Sequence, residues 1–308
     1  MTNKLFDPRN TLELYGLKLY FNFFIKLISE DKLPKTLLLT GQKGIGKFTF
    51  INHFLHHYYD KENYNEKNNT INANSHFHNK FKNNLFSNIS YLDGENLNTI
   101  KIEDIRNLKL NLSKSPILNK KRFVILDSIE NFNINSLNAL LKIVEEPDIY
   151  THFILINNKT KSLLETIRSR CLEIKIILNV DDKNEITESL LNFYNQEIIL
   201  EKGCMHISPG NFLKFNYILN ENKIDINQNL SLNLKKIISL YKKEKDYCYK
   251  DLLFFLIDYH FYQVKNENND NYEKLIKSRA LYIKSINEFF LYNLSQNTLI
   301  NALENEIL

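Results

Sequence analysis

The chain has 308 residues, 43% hydrophobic and 25% charged, with a net charge of +4. That length supports two or three domains with ample core, and the composition excludes a disordered or fibrous protein. The small positive balance argues for a nucleic-acid protein only if the lysines cluster. No apolar stretch approaches the ~20 residues needed to cross a bilayer. The start, Met1-Thr2-Asn3-Lys4-Leu5-Phe6, lacks the form of a signal peptide. Cys171, Cys204 and Cys248 are widely spaced and odd in number, so no disulfide framework is expected. The expected location is a reducing cytoplasm, with no membrane contact.

The first informative stretch is Thr36–Thr40, a short apolar run suited to a buried parallel strand. It feeds into Gly41-Gln42-Lys43-Gly44-Ile45-Gly46-Lys47-Phe48-Thr49, which concentrates three of the chain's seven glycines. Phe50, Ile51, Phe54 and Leu55 then recur at helical spacing. Strand, glycine loop and helix aim backbone N–H groups at a phosphate, so Gly41, Gly44, Gly46 and Lys47 are candidate nucleotide-binding residues. A working loop of this kind has Ser or Thr directly after the lysine, whose hydroxyl holds magnesium. Phe48 stands there instead. Thr49 is one residue further on, about 100° around the helix, and is a poor substitute. The loop reads as a degenerate phosphate cradle.

Between this helix and the next strand lies an Asn- and Lys-rich stretch, about 60–84, expected as a mobile surface insertion. Further strands are expected at Asn88–Leu92, Arg122–Asp127, His152–Ile156 and Cys171–Ile177. With Thr36–Thr40 they make five strands of one sheet, and intervening helical patterns argue for a parallel α/β arrangement. Past Val180 helical periodicity dominates. Segments at Ile186–Tyr194 and Asn211–Leu219 suggest a small helical lid, followed by longer helices near Leu230–Lys242, Asp251–Val264, Tyr272–Leu294 and Thr298–Glu304. The expected boundaries are 1–177 for the α/β domain, 178–220 for the lid and 221–308 for an all-helical domain.

Arg122-Phe123-Val124-Ile125-Leu126-Asp127 is a buried strand that delivers a carboxylate at its C-terminal end. There Asp127 could hold magnesium through water. Active ATPases of this kind place a second carboxylate directly after it; Ser128 occupies that position. Residues 135–147 then form an amphipathic helix with Leu137, Leu140, Leu141 and Val144 on one face. Ser136 or Asn135 can cap its start, and Pro147 closes it.

SLNALLKIVEEP at 136–147 followed by TIRSRC at 166–171 resembles the clamp-loader branch of AAA+ proteins. More narrowly, it is similar to the delta-prime subunits of bacterial DNA polymerase III clamp loaders. KLPKTLLLTGQKGIGK, IKIEDIRNL, RFVILDSIE and LYNLSQNTLINAL carry the same resemblance, over most of 8–177 and part of the C-terminal region. It implies an AAA+ P-loop sheet of five parallel strands, a small helical lid and an all-α C-terminal collar. Arg170 then matches the arginine that reaches in trans into a neighbouring subunit's ATP site, where a permanently charged guanidinium suits the γ-phosphate. Asn157 or Asn158 falls where the first sensor residue lies, and spacing favours Asn158. Ser208-Pro209-Gly210-Asn211 is similar to the second-sensor motif, with Asn211 in place of the expected arginine. Many relatives carry a four-cysteine zinc module; here residues 1–170 hold no cysteine, so no such site is expected. His53, His56, His57, His76 and His78 read as partly exposed polar side chains, and no metal is assigned.

The resemblance thus implies a non-motor subunit of a DNA-directed DNA polymerase complex, not an ATPase by itself. It requires no cofactor and binds ATP and magnesium weakly at most. Its partners would be motor and wrench-type subunits, the sliding clamp and, through the complex, primed DNA. Two alternatives stay open: an ATP-hydrolysing motor of the same class, and an α/β adaptor that has lost nucleotide binding.

Overall fold

The computed structural model describes residues 5–95, 100–116, 120–200, 207–267, 272–295 and 299. Cys204 and the helix expected at Thr298–Glu304 fall wholly or largely outside that range. Two compact units result, one of Leu5–Leu190 with Ile207–Asn211, the other of the described parts of Leu191–His206 and Phe212–Leu308. The stretch expected as a lid, 178–220, is shared between them. Among the described residues no helix is long and apolar enough to cross a membrane.

In the first unit, β1 (Thr36–Thr40) is buried along its whole length. A continuous apolar run is what a strand needs when helices cover both faces of its sheet. β2 (Ile89–Asp93), β3 (Arg122–Asp127), β4 (Thr151–Asn157) and β5 (Leu172–Lys175) complete a five-stranded sheet in the order β2-β3-β4-β1-β5. All four pairings are parallel, for example Thr40 opposite Asn157 and Asp93 opposite Asp127. The five expected strands are all present. β2 starts one residue later than expected, and the last is shorter at both ends.

Side chains alternate between two cores. Leu37, Leu39, Phe123, Ile125, Ile154 and Ile156 face α1 (Lys18–Ser29) and α2 (Lys47–Tyr59), where Phe24, Phe50 and Phe54 are fully buried. Leu38, Val124, Leu126, Phe153 and Leu155 face α4 (Ile102–Leu112) and α5 (Ile134–Glu145) through Ile105, Leu108, Leu137, Leu140 and Val144. α5 begins one residue earlier than the expected 135–147 stretch, and its cap is Asn133, not Asn135 or Ser136; the Asn133 side chain accepts from the Ser136 N–H at 2.8 Å. Ser136 instead donates its hydroxyl to the Ile100 carbonyl.

Arg122, at the start of β3, is buried, and all five of its N–H donors are used. They reach Thr151, the carbonyls of Asn111, Leu112 and Lys114, and Asp148 at 2.7 Å. Two of these acceptors, Asn111 and Leu112, end α4, whose last carbonyls have no partner within the helix, and Lys114 lies just past its cap Ser113. One guanidinium thereby joins α4 to the sheet.

The insertion at 60–84 is folded, contrary to expectation. Tyr64–Asn65 and Thr70–Ile71 pair as a short antiparallel ribbon, and α3 (His76–Lys82) follows with Ser75 as its cap. Phe77 and Phe81 of α3 are buried; His56 with Phe77, Tyr59 with Phe86, and Phe77 with Phe86 meet edge to face at 4.8 Å, and Tyr59 lies tilted against Phe77 at 5.5 Å. Four of the five histidines lie inside this cluster, not at its surface: His53, His56, His57 and His78 are 0–9% exposed, and His76 alone of the five is exposed. Their partners define their protons. His56 Nδ1 donates to the Asn52 carbonyl at 2.8 Å, so its Nε2 accepts from His78 Nδ1 at 3.1 Å. His53 Nε2 donates to the Thr11 carbonyl and Nδ1 accepts from Tyr64. Neutral imidazoles satisfy this pattern, and burial holds His53 down to about 3 and His56 to about 4. Among the described residues no group of three or more His, Cys, Asp or Glu is set to hold a metal ion.

After the sheet come α7 (Val180–Phe193) and α8 (Pro209–Glu221), and the second unit is helical. α9 (Leu230–Glu244), α10 (Cys248–Glu267) and α11 (Tyr272–Tyr292) pack through Leu234, Ile237, Ile238, Leu252, Leu253, Ile257 and Ile286, each fully buried.

Two outcomes follow. Arg122→Met strands carbonyls at the end of α4 and is expected to cost about 3 kcal/mol, read by urea denaturation. The histidine cluster makes stability depend on pH. Unfolded imidazoles take up a proton near 6.5, folded ones only near 3 to 4, so the unfolded state binds more protons as pH falls between those values. Stability is expected to be full above about pH 7 and to drop by about 2 kcal/mol for each of His53 and His56 by pH 5. A denaturation midpoint that holds steady down to pH 5 would contradict this.

Candidate functional site

The site sits at the C-terminal ends of β1, β3 and β4, where open α/β sheets present their ligand crevice. Gly44 and Gly46 take left-handed backbone, φ +80° and +97°, as the tight turn into α2 requires. Gly41 has a different reason: a Cβ there would lie 2.7 Å from the Ile176 carbonyl oxygen.

Lys47 opens α2 and is buried, 3% exposed. Its ammonium donates to the carbonyls of Gly41 and Gln42, both at 2.8 Å. Burial lowers its proton affinity to about 8, against the opposing pull of Asp127 and Glu130. Ser208 and Gly210 close over the same loop: the Ser208 hydroxyl donates to the Lys43 carbonyl, and the Gly210 N–H donates to the Gly44 carbonyl at 3.0 Å. Two glycines meet there. A Cβ on Gly210 would come within 2.7 Å of the Gly44 carbonyl, and one on Gly44 within 2.5 Å of Ser208 Oγ and 2.7 Å of Asn211 Oδ1. Asn211, standing where an arginine was expected, thus lies against the loop.

Phe48 is buried, its ring edge-on to Tyr91 at 5.1 Å. The Tyr91 hydroxyl donates to Asp127 Oδ2 at 3.4 Å. The space between position 48 and Asp127, where a hydroxyl and a carboxylate would share magnesium, is therefore bordered by two aromatic rings. Asp127 is raised to about 7 by burial first, then by the charges of Asp93 and Glu95, with Lys47 opposing. No hydroxyl stands at position 48 to share a cation with Asp127, and a carboxyl raised by burial gives up its proton less readily to one. These residues do not fit a magnesium-bound nucleotide well. Thr49, in the first turn of α2, is half-buried.

Ser128 carries left-handed backbone at φ +52° although it has a Cβ, a strain that persists only where surroundings impose it. Its hydroxyl accepts from Asn158 Nδ2 at 2.9 Å, so Asn158 meets the end of β3. Sequence reasoning missed Glu130. It is 6% exposed, and its Oε1 accepts from the Asn158 N–H at 3.1 Å and the Thr160 hydroxyl at 2.8 Å. A buried glutamate three residues past the strand-end acid was the available signal. Tyr91 was missed because nothing in its own segment marks it.

Arg170 lies apart from the loop, just after α6 (Glu165–Arg168). It donates to the Thr166 carbonyl at 3.0 Å and to Glu145, the last residue of α5, at 3.3 Å. A third of its side chain is exposed. Arg168 is instead tied to Glu165 and Glu173.

A parallel sheet in the order β2-β3-β4-β1-β5, a glycine loop joining β1 to a helix, and an acid ending β3 define a P-loop α/β protein of the AAA+ class. The chain belongs to the DNA polymerase III, delta subunit family, whose profile matches residues 17–179; these are clamp-loader subunits of that polymerase. It is similar to the DNA polymerase III subunit delta' of Pseudomonas aeruginosa, 36% identical over 74 residues, 24% of this chain and 23% of that protein. It is also similar to the tau/gamma subunit of Haemophilus influenzae, 34% identical over 99 residues, 32% of this chain and 14% of the other. Among solved structures, a gamma subunit-related protein of Thermotoga maritima aligns over 93% of this chain and 98% of its own, with 20% identity and a TM-score of 0.47. The chain thus spans well under half the length of the sequence relatives named here.

Gly44→Ala is expected to cost about 1–3 kcal/mol, since it adds a Cβ at positive φ where Ser208 and Asn211 already crowd the space. Hydrogen exchange checks the cause: the Gly210 amide should lose protection while amides of β1 keep theirs.

Proposed function

We propose that the chain is a non-motor, delta-prime-like subunit of a bacterial DNA polymerase III clamp loader. It lends Arg170 across a subunit boundary to ATP held by a neighbouring motor subunit while the sliding clamp is opened and set on primed DNA. The single observation that carries the reading is the contrast between two cations. The Lys47 ammonium is buried and committed to its own loop's carbonyls, whereas the Arg170 guanidinium is partly exposed and held at a surface by one carbonyl and one exposed carboxylate. An exposed ion pair of that kind contributes little and exchanges readily, so Arg170 can trade Glu145 for a phosphate at small cost.

In this reading the chain's own Gly41, Gly44, Gly46, Lys47, Thr49, Asp127 and Asn158 are the remnant of a nucleotide site, with weak ATP and magnesium binding at most. Phe48 and Tyr91 beside Asp127 favour this over the motor alternative. Partners are the motor subunits, a wrench-type subunit, the clamp and, through the assembly, DNA.

Arg170→Ala in the reconstituted loader is expected to lower ATP turnover about 10³-fold, as for other arginine fingers, with the complex still assembled. Unchanged turnover would refute the role. Brisk hydrolysis by the isolated chain would instead establish a motor.

A further inference from the structure

Glu145 is the last helical residue of α5, and Glu146 follows as the cap. A carboxylate there faces the negative pole of the helix, where a cation is preferred, so helix stability does not account for it. Core packing does not either, since 55% of its side chain is exposed. What Glu145 meets is Arg170, whose Nη2 donates to Glu145 Oε1 at 3.3 Å.

The backbone beneath both residues is fixed. Val144, directly before Glu145, shares one buried core with Leu140 of α5 and with Ile167 of α6. The turn that carries Arg170 is closed by the N–H groups of Ser169, Arg170 and Cys171. They donate to the carbonyls of Glu165, Ile167 and Arg168 at 2.9–3.2 Å. Arg170 Nη1 donates to the Thr166 carbonyl of the same turn at 3.0 Å. The guanidinium is thus anchored on one side by a neutral carbonyl and on the other by an acid. The acid's hold is long, 3.3 Å against 2.7 Å for Arg122 and Asp148. Strong guanidinium–carboxylate pairs are short and commonly bidentate.

We infer that Glu145 is a brake on Arg170: a resting counter-ion that occupies the guanidinium until a neighbouring subunit's γ-phosphate displaces it. The inference rests on the role proposed for Arg170. Glu145 is then a positioning residue, acting through Arg170 and touching no nucleotide itself. Two anions compete for one cation. A triphosphate carries more charge than a carboxylate and can take two donors of the guanidinium, so it wins once the resting pair is broken. The Thr166 carbonyl keeps its donor throughout, so the side chain needs only to turn about that contact. Because an exposed ion pair contributes little, the brake shifts the engaged fraction of Arg170 by a small factor, and salt weakens it.

The test is ATP turnover by the reconstituted loader, with its motor subunits, at low and high salt. Glu145→Gln keeps the side chain's shape and removes its charge. It is expected to raise turnover about two- to fivefold at about 50 mM salt. At about 500 mM salt the gain should shrink to less than about 1.5-fold. With Arg170→Ala already in place, the same substitution should change nothing. Unchanged or lower turnover for Glu145→Gln would overturn the inference, as would failure of that variant to assemble, which would make the acid structural. An equal gain from Glu146→Gln, or a gain that persists without Arg170, would also overturn it, since either would reduce the effect to bulk charge. The two readings fail separately. If Arg170→Ala leaves turnover unchanged, the role of Arg170 falls and the brake with it; a large loss there beside no gain for Glu145→Gln removes the brake alone.

Discussion

A buried ammonium must be hydrogen-bonded, and the partners Lys47 has found organise the whole end of the sheet. Its protons go to Gly41 and Gln42, so the loop closes on its own lysine. Gly44 can then turn its carbonyl outward to the Gly210 N–H, a backbone approach that only two facing glycines permit. Phe48 and Tyr91 pack edge to face beside the same region. The consequence is electrostatic: burial lowers Lys47 and raises Asp127 until their proton affinities nearly meet, about 8 and about 7. Each is the other's compensation in a medium that disfavours both charges.

The insertion obeys a related rule. Where the resemblance implies a four-cysteine module in many relatives, this chain has no cysteine and packs imidazoles and benzene rings. His53 and His56 are held neutral by burial, and the cluster's imidazoles have hydrogen-bond partners in the Thr11 and Asn52 carbonyls, Tyr64, Glu66 or a second histidine. Aromatic rings supply large buried area at low entropy cost. A cluster of this kind is stable only while its imidazoles stay uncharged, which ties the fold to neutral pH where a thiolate–metal site would tie it to metal.

Arg122 and Arg170 show how environment divides one chemistry into two roles. Arg122 spends every donor inside the protein and acts as a rivet between α4 and β3. Arg170 makes two contacts from an exposed position. The sequence treats them alike, as cations bordering strands. Only the number of acceptors within reach separates a fully committed guanidinium from a partly exposed one.

Much of the sheet was legible because strands buried on both faces must be continuous apolar runs, and β1, β3 and β4 are such runs. The glycine loop and the strand-end Asp127 were legible because their geometry demands particular residues at fixed spacing. The insertion was not. Its core is assembled from Tyr64, Phe77, Phe81 and Phe86 and from histidines at 53, 56 and 78, which follow no single period and are diluted by Asn and Lys. Nor were Tyr91, Glu130 or the Gly44–Gly210 contact, since each depends on segments far apart in the chain. The amino-acid sequence by itself determined the order of strands and helices, the family, and the loss of a hydroxyl at position 48, because those are properties of local pattern and side-chain identity. Which polar groups end up beside one another in a water-poor interior, and hence their charges and partners, was decided only when the chain folded, because desolvation acts on neighbours in space.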